Sequence, residues 1–381
     1  MESAPLLASP RRSPALKQEI KALATSSYVN YLLVFVPLGL AAGLLNWPAV
    51  YKFSLNFLAV IPLASLLGFA TEELALYVGE SIGGLLNATF GNAVELIVAV
   101  VALYQGQIAI VQASMLGSIL SNMLLVLGCC FILGGMKYKV QNFSSSAALA
   151  MSSLMAVSCS CLLLPAAFHA TIPPPNGVPD GSTGDLVVTM SRSTSVVMLI
   201  LYVLFLLFQF KTHSDMFETE TDETPEVPTL SSTVALTSLA LVTVVVAVCA
   251  DYLVGSIDDI VETTGMPKEF IGLILIPIVG NAAEHASAVM VAMKNKMNLA
   301  IGIAVGSSLQ IALFMTPFTV VVGWMIGQNM TLFFSTYETA VMFVSVFITN
   351  YLIQDGESNW FEGALLIGTY IIIGLSFWLY P

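Results

Sequence analysis

The chain has 381 residues, 57% of them hydrophobic and only 9% charged, against about 25% charged in an ordinary soluble domain. With a mean hydropathy of +0.88, the bilayer must be the solvent for most of the chain, which excludes a soluble globule and a nucleic-acid-binding module. The net charge of −12 does not make it a polyacidic soluble protein, because the acids gather in one connector, a few loop ends and a handful of intramembrane positions.

In chain order, residues 1–27 carry Arg11, Arg12, Lys17 and Lys21 among serines and prolines and lack the apolar core of a cleavable signal. They read as a flexible cytosolic tail; Glu2 with Leu6 and Leu7 fits an acidic dileucine sorting signal. A hydrocarbon core needs roughly 20 apolar residues per helix. Eleven runs qualify, roughly 28–46, 53–72, 81–103, 107–134, 145–168, 190–211, 230–254, 268–293, 297–323, 331–353 and 360–380. They are too long and uniform for the dyad alternation of a membrane barrel. The expected fold is therefore all-α and polytopic.

Lys and Arg accumulate on the cytoplasmic side of membrane proteins. With the N-terminus in the cytosol, Arg11, Arg12, Lys17, Lys21, Lys137, Lys139, Lys211, Lys294 and Lys296 fall on that side. Only Lys52, Arg192 and Lys268 fall on the other. This split supports eleven spans with the C-terminus outside or in a lumen. Between the sixth and seventh runs, residues 212–229 hold Glu218, Glu220, Asp222 and Glu223. They read as a solvated linker, or as an acidic element that concentrates or senses cations at the cytosolic mouth. The five cysteines, Cys129, Cys130, Cys159, Cys161 and Cys249, all lie in apolar runs and read as packing residues.

An internal repeat organises the rest. Displaced by 189 positions, Gly91-Asn92-Ala93-Val94-Glu95 lands on Gly280-Asn281-Ala282-Ala283-Glu284, and the register continues without a gap through Gly117/Gly306, Ser118/Ser307 and Leu120/Leu309. Glu73 meets Glu262. Two units of five runs, 53–211 and 230–381, follow one extra run at 28–46. Five is odd, so the second unit enters upside down, the inverted-repeat plan of secondary transporters, whose ion sites lie near the midplane.

Glu95 and Glu284 sit inside the third and eighth runs. A charge at mid-bilayer costs about 2.5–3.5 kcal/mol on insertion scales, and two at repeat-equivalent places are hard to explain as packing. Asn92 and Asn281, each three residues earlier, are expected on the same helix face as their glutamates. Gly91 and Gly280 would let backbone carbonyls open toward an ion at a helix interruption. Ser118, Ser121 and Asn122 form one polar stripe and Ser307 with Gln310 another; these groups fit ion ligands, interhelical hydrogen bonds, or both.

The inventory is nearly all oxygen and suits a hard cation, calcium before magnesium, which keeps its waters. Two carboxylates also neutralise a divalent ion. Burial and mutual repulsion favour protonation of an empty pair, so an ion and protons would compete for the same oxygens, which is the basis of antiport. Glu72, Glu73, Asp258, Asp259 and Glu262 stand at run ends as mouth acids or as ordinary solvated termini. His285, whose repeat partner is Leu96, fits proton handling or plain polar packing.

These paired motifs, Gly91 to Ile97 with Gly280 to Ala286 and Gly117 to Asn122 with Gly306 to Gln310, resemble the signature repeats of the cation/proton exchanger family, over nearly the whole chain from the second run. The extra first run and acidic connector resemble its fungal and plant vacuolar branch. The resemblance implies a vacuolar membrane protein that imports cytosolic calcium into an acidic organelle, driven by lumenal protons. It also implies that Glu95 and Glu284 ligate the ion with carbonyls near Gly91 and Gly280, and His285 favours the proton-driven branch over sodium-coupled relatives. Calcium, with manganese as a second divalent, and protons are the expected substrates and the bilayer the expected partner. No cofactor and no enzymatic activity are expected, and oligomeric state stays open. Sodium- or potassium-coupled calcium exchange is the nearest alternative and a channel or receptor a more distant one.

Overall fold

The computed structural model describes residues 16–78, 80–171, 181–214 and 227–379. The acidic connector residues Glu218, Glu220, Asp222 and Glu223 and the dileucine pattern lie outside them. The chain is helical almost throughout. Helix α1 (Leu16–Thr25) turns by 99° into α2 (Tyr28–Leu44), which opens as a 3-10 helix over Tyr28–Val34. Then follow α3 (Ala49–Val78), α4 (Glu80–Phe90), α5 (Ala93–Tyr104), α6 (Ile108–Lys137), α7 (Ser145–Thr171), α8 (Gly184–Thr212) and α9 (Ser232–Thr264). After them come α10 (Lys268–Gly280), α11 (Ala282–Ala292), α12 (Met297–Ile326), α13 (Thr336–Leu352) and α14 (Trp360–Leu379). One two-residue ribbon joins Gln141–Asn142 to Glu357–Ser358, antiparallel, at the end of the bundle.

Seven of these helices are long and apolar enough to cross a membrane, or nine if each sharply bent pair is one span. The expected eleven runs differ from this in two physical ways. The run at 81–103 is not one rod: it breaks at Gly91-Asn92, leaving α4 and α5 too short to span alone. Helix α13, with 17 residues, is shorter than its apolar run because Thr331 to Ser335 are not helical and Ser335 caps the helix in a reciprocal capping box with Glu338. The tail is also corrected: residues 16–25 are helical, and Glu19 is buried.

The best-buried spans are α6, with 78% of its apolar window inside the protein, and α12, with 67%. Helices α8, α9 and α14 are mostly exposed and present the lipid-facing surface. The central pair is interrupted by π segments at Ser121–Val126 in α6 and Ile311–Met315 in α12, which fall at corresponding places in the 189-residue repeat. A π turn adds one residue to the helical turn and re-aims the side chains around it, here from Ser121 within the first polar stripe and directly after Gln310 of the second. The five cysteines are all free thiols.

Candidate functional site

The two glutamates occupy the same local structure. Helices α4 and α10 stop at Gly91 and Gly280; Asn92 (φ −98°, ψ 27°) and Asn281 (φ −91°, ψ 4°) leave helical geometry, and α5 and α11 restart immediately. The α10–α11 pair bends by 58°. Glu95 and Glu284 therefore lie in the first turns of α5 and α11, where helix dipoles favour negative charge.

The glutamates cross over. A Cβ built on Gly280 would lie 3.0 Å from Glu95 Oε1, and one built on Gly91 would lie 3.6 Å from Glu284 Oε1. Each glycine thus makes room for the carboxyl group of the other repeat. Neither carboxyl is on the outer surface of the bundle: Glu95 is 6% exposed, and Glu284 lines a cavity.

The three-residue spacing puts each asparagine on its glutamate's face only in a continuous helix; the helix breaks at both asparagines, and neither side chain hydrogen-bonds its own glutamate. Asn92 reaches the other repeat instead. Its Nδ2 donates to Gln310 Oε1 (2.8 Å), and its Oδ1 lies 2.7 Å from Ser307 Oγ, which is also 2.7 Å from Glu284 Oε2. Ser307 has one hydrogen and Asn92 Oδ1 can only accept. Both short contacts are satisfied when a protonated Glu284 donates to Ser307 and Ser307 donates to Asn92. The chain Glu284–Ser307–Asn92–Gln310 can thus hold a proton on Glu284, and with both amides turned over it serves an ionised Glu284 through the same contacts.

The matching groups of the other repeat make no such chain. Glu95 Oε1, Ser118 Oγ, Asn122 Nδ2 and both polar atoms of Asn281 are buried without a hydrogen-bond partner in the protein. Ser121 turns away to His285, with Oγ and Nε2 3.4 Å apart, so His285 braces the wall of the site. Among the described residues no three His, Cys, Asp or Glu side chains converge as a metal centre. Any cation held here must draw on two carboxylates plus amide, hydroxyl and carbonyl oxygens.

The surroundings of the two glutamates differ in the same sense. Glu284 opens into a cavity of about 380 Å³ lined by Ala64, Glu72, Asn87, Gly91, Ser287, Ile303, Ser307 and Gln310, with Ser26 and Ser27 at the end of the bundle that carries α1. Glu95 faces a space of about 10 Å³ lined by Leu253, Ile276, Gly280, Val98, Ser114 and Ser118. Six positions of the second lining are register partners, 189 positions apart, of residues in the first: Ala64/Leu253, Asn87/Ile276, Gly91/Gly280, Ser287/Val98, Ile303/Ser114 and Ser307/Ser118. One cavity is open and its counterpart has collapsed. Gly117 shows why: it packs directly on the Leu273 carbonyl, whereas nothing lies within 4 Å of a Cβ on Gly306. Beyond the collapsed side, Gln105 Nε2 donates to Asp251 Oδ1 (2.7 Å), Gln107 Nε2 to Asp258 Oδ2 (2.7 Å) and Lys268 Nζ to Asp258 Oδ1 (2.6 Å).

The mouth acids divide. Glu72 lines the cavity, while Asp259 and Glu262 are exposed on the closed side and Asp258 is occupied by Gln107 and Lys268. Glu73 is not a mouth acid: it is buried and accepts from Thr229 N, Thr229 Oγ1 and Leu230 N, at 2.6 to 2.8 Å, fastening the start of α9 to α3. The expectation failed because the N–H groups that meet Glu73 come from a segment far along the chain. Replacing Glu73 by Ala should destabilise the purified protein by about 3 kcal/mol, since buried donors lose a charged acceptor. Glu262→Ala, at the exposed counterpart, should stay within about 0.5 kcal/mol. Thermal unfolding in detergent measures both. The sequence reading missed Asn87 and Ser287; both were within reach, one helical turn before Gly91 and three residues after Glu284. It also missed the Gln105–Asp251 pair and the partners of Asp258, Gln107 and Lys268, because no local pattern announces long-range pairings.

Compared with known proteins, residues 49–211 and 234–379 each match the sodium/calcium exchanger protein family. The vacuolar calcium ion transporter of Schizosaccharomyces pombe is 48% identical over 365 residues, covering 95% of this chain and 87% of that one. The Ca(2+)/H(+) antiporter of Aphanothece halophytica is 44% identical over 364 residues, covering 92% and 96%. The solved structure of native YfkE superposes with a TM-score of 0.77 at 38% identity, covering 92% of this chain and 99% of that one. The paired motifs, the crossed glutamates and these matches agree that the chain belongs to the sodium/calcium exchanger family, whose members are secondary transporters and not enzymes.

Proposed function

We propose that this chain is a calcium/proton antiporter of a vacuolar membrane, moving cytosolic calcium into an acidic organelle in exchange for lumenal protons. The observation that carries this reading is the crossed placement of Glu95 and Glu284, each seated against the glycine of the other repeat. Two carboxylates match the charge of one divalent ion, and a proton held on Glu284 would use the oxygens that an ion would need. Calcium and protons would therefore exclude one another, and a site that crosses only when loaded with one or the other exchanges them.

The membrane layout proposed with it has eleven spans: α2, then two inverted five-helix units over 53–211 and 230–381, joined by the cytosolic connector 212–229. The broken pairs α4–α5 and α10–α11 are one span each. The distribution of basic residues supports a cytosolic N-terminus and a lumenal C-terminus; on this layout the open cavity faces the cytosol. Asn92, Asn281, Gly91, Gly280, Ser118, Ser121, Ser307 and Gln310 are proposed to shape or complete the ion shell.

Purified protein in sealed proteoliposomes tests this. An imposed pH gradient, with sodium and potassium absent from both sides, should drive calcium uptake that a protonophore abolishes. Uptake that requires sodium or potassium would replace this reading with cation-coupled exchange. Flux that needs no counter-ion would make the protein a channel.

A further inference from the structure

Helix α1 is built for a surface. Projected at 100° per residue, Leu16, Ile20 and Ala24 form one sector, Lys17 and Lys21 the next, and Ala22, Glu19 and Leu23 the sector turned to the protein. Leu16 and Ile20 are 61% and 55% exposed, yet Glu19 is 3% exposed. The helix runs at 99° to the span that follows it. The corner is fixed by buried Asn30, whose Nδ2 donates to Leu23 O (3.0 Å) and Ser26 Oγ (2.9 Å). Just past the corner, Tyr28 and Tyr31 are more than 80% exposed, as aromatic anchors at a membrane–water boundary are. Exposed apolar side chains on α1 are thus followed by exposed aromatic ones at the start of α2, and Lys17 and Lys21 flank the apolar sector of α1.

We propose that α1 lies in the bilayer interface, docked on anionic lipid of the cytosol-facing leaflet, and ties the rim of the open cavity to that surface. Apolar side chains entering the acyl boundary beside lysines that meet acidic headgroups is the binding mode of interfacial helices. The tie is Glu19, whose Oε1 accepts from Ser231 N at 2.6 Å, at the cap of α9, while Ser26 and Ser27 of the same corner line the cavity that leads to Glu284. A lipid surface that holds α1 also holds the start of α9 and the mouth in the open arrangement. Access of calcium to the cavity then depends on the charge of the leaflet. The leaflet assignment and the transport consequence rest on the proposed function; the contact with lipid does not.

Two readouts test it. An environment-sensitive fluorophore on Ile20→Cys, with wild-type protein labelled in parallel as background, should emit at shorter wavelength in phosphatidylcholine–phosphatidylserine vesicles and be quenched by brominated acyl chains. A blue shift without that quenching would put another chain on this face, and no shift would leave it in water; either overturns the proposal. Calcium uptake at limiting calcium should be at least about twofold faster with phosphatidylserine than in phosphatidylcholine alone. Lys17→Glu/Lys21→Glu should respond clearly less than wild type while matching it in phosphatidylcholine, and Glu19→Ala should respond less while keeping the blue shift. Phosphatidylserine also concentrates calcium at the vesicle surface, but that acts on all variants alike, so a full lipid response in either variant defeats the coupling. Because the emission requires no transport, failure of proton-driven uptake in wild type would sink the exchange reading alone.

Discussion

Glu95→Gln and Glu284→Gln should each reduce pH-gradient-driven calcium uptake by about 100-fold or more while leaving the fold intact. Glutamine keeps the shape of the side chain and removes both the charge and the exchangeable proton. At Glu284 the amide can donate to Ser307, which then donates to Asn92, so the chain to Gln310 survives. At Glu95 the amide replaces a carboxyl in a dry, closed space against Gly280. Stability should change little in either case. Function should not survive, because removing one of two partners from a desolvated dication costs about 3 kcal/mol or more, a factor of about 100 in affinity. Calcium binding by the purified variants and uptake in proteoliposomes measure the two consequences separately. Near-normal uptake by either variant would remove that residue from the site, and poor folding of both would show that the carboxylates are structural.

What could be read from the sequence was whatever each repeat encodes locally. The apolar runs, the two glutamates, the glycines beside them and the polar stripes that π turns later re-aim are all local patterns, and the 189-residue register doubles each signal. What could not be read was the traffic between repeats. The spacing of Asn92 and Glu95 implies a shared helix face only while the helix is continuous; the break at Gly91-Asn92 sends Asn92 to Ser307 and Gln310 instead. Glu73 and Glu262 are identical in the register, yet one fastens α9 to α3 and the other is exposed, because only one of them meets a chain segment with free N–H groups. Helix α1 was missed for a related reason. Its ten residues are too few and too charged to signal a span, and the buried face that orders it consists of Glu19 and its remote partner at Ser231.

Which side is open is illegible in principle, since both repeats carry the parts for both states, and it is this ambiguity that makes Gly306 informative. Helix α6 packs closely along α10, with Gly117 on the Leu273 carbonyl, and the glutamate on that side is sealed. Helix α12 and α4, the counterparts by register, barely touch, and Gly306 stands clear. If the closed arrangement is to form on the other side, Gly306 must approach Gly84 as Gly117 approaches Leu273, because Leu273 displaced by 189 positions is Gly84. Gly306→Ala should therefore fold normally and bind calcium from the cytosolic side with near-wild-type affinity. Turnover should fall by about tenfold or more, as a methyl group forced against a backbone carbonyl costs about 1–3 kcal/mol. Gly117→Ala meets that carbonyl in the present state, so it should lower thermal stability and push the protein toward the lumen-facing arrangement. Cysteine accessibility at Ser287, on the open cavity, reads the difference: modification should persist in Gly306→Ala and fall in Gly117→Ala. Equal effects of the two substitutions on stability would mean that the glycines serve packing alone, and that the open and collapsed cavities are not the two ends of one exchange.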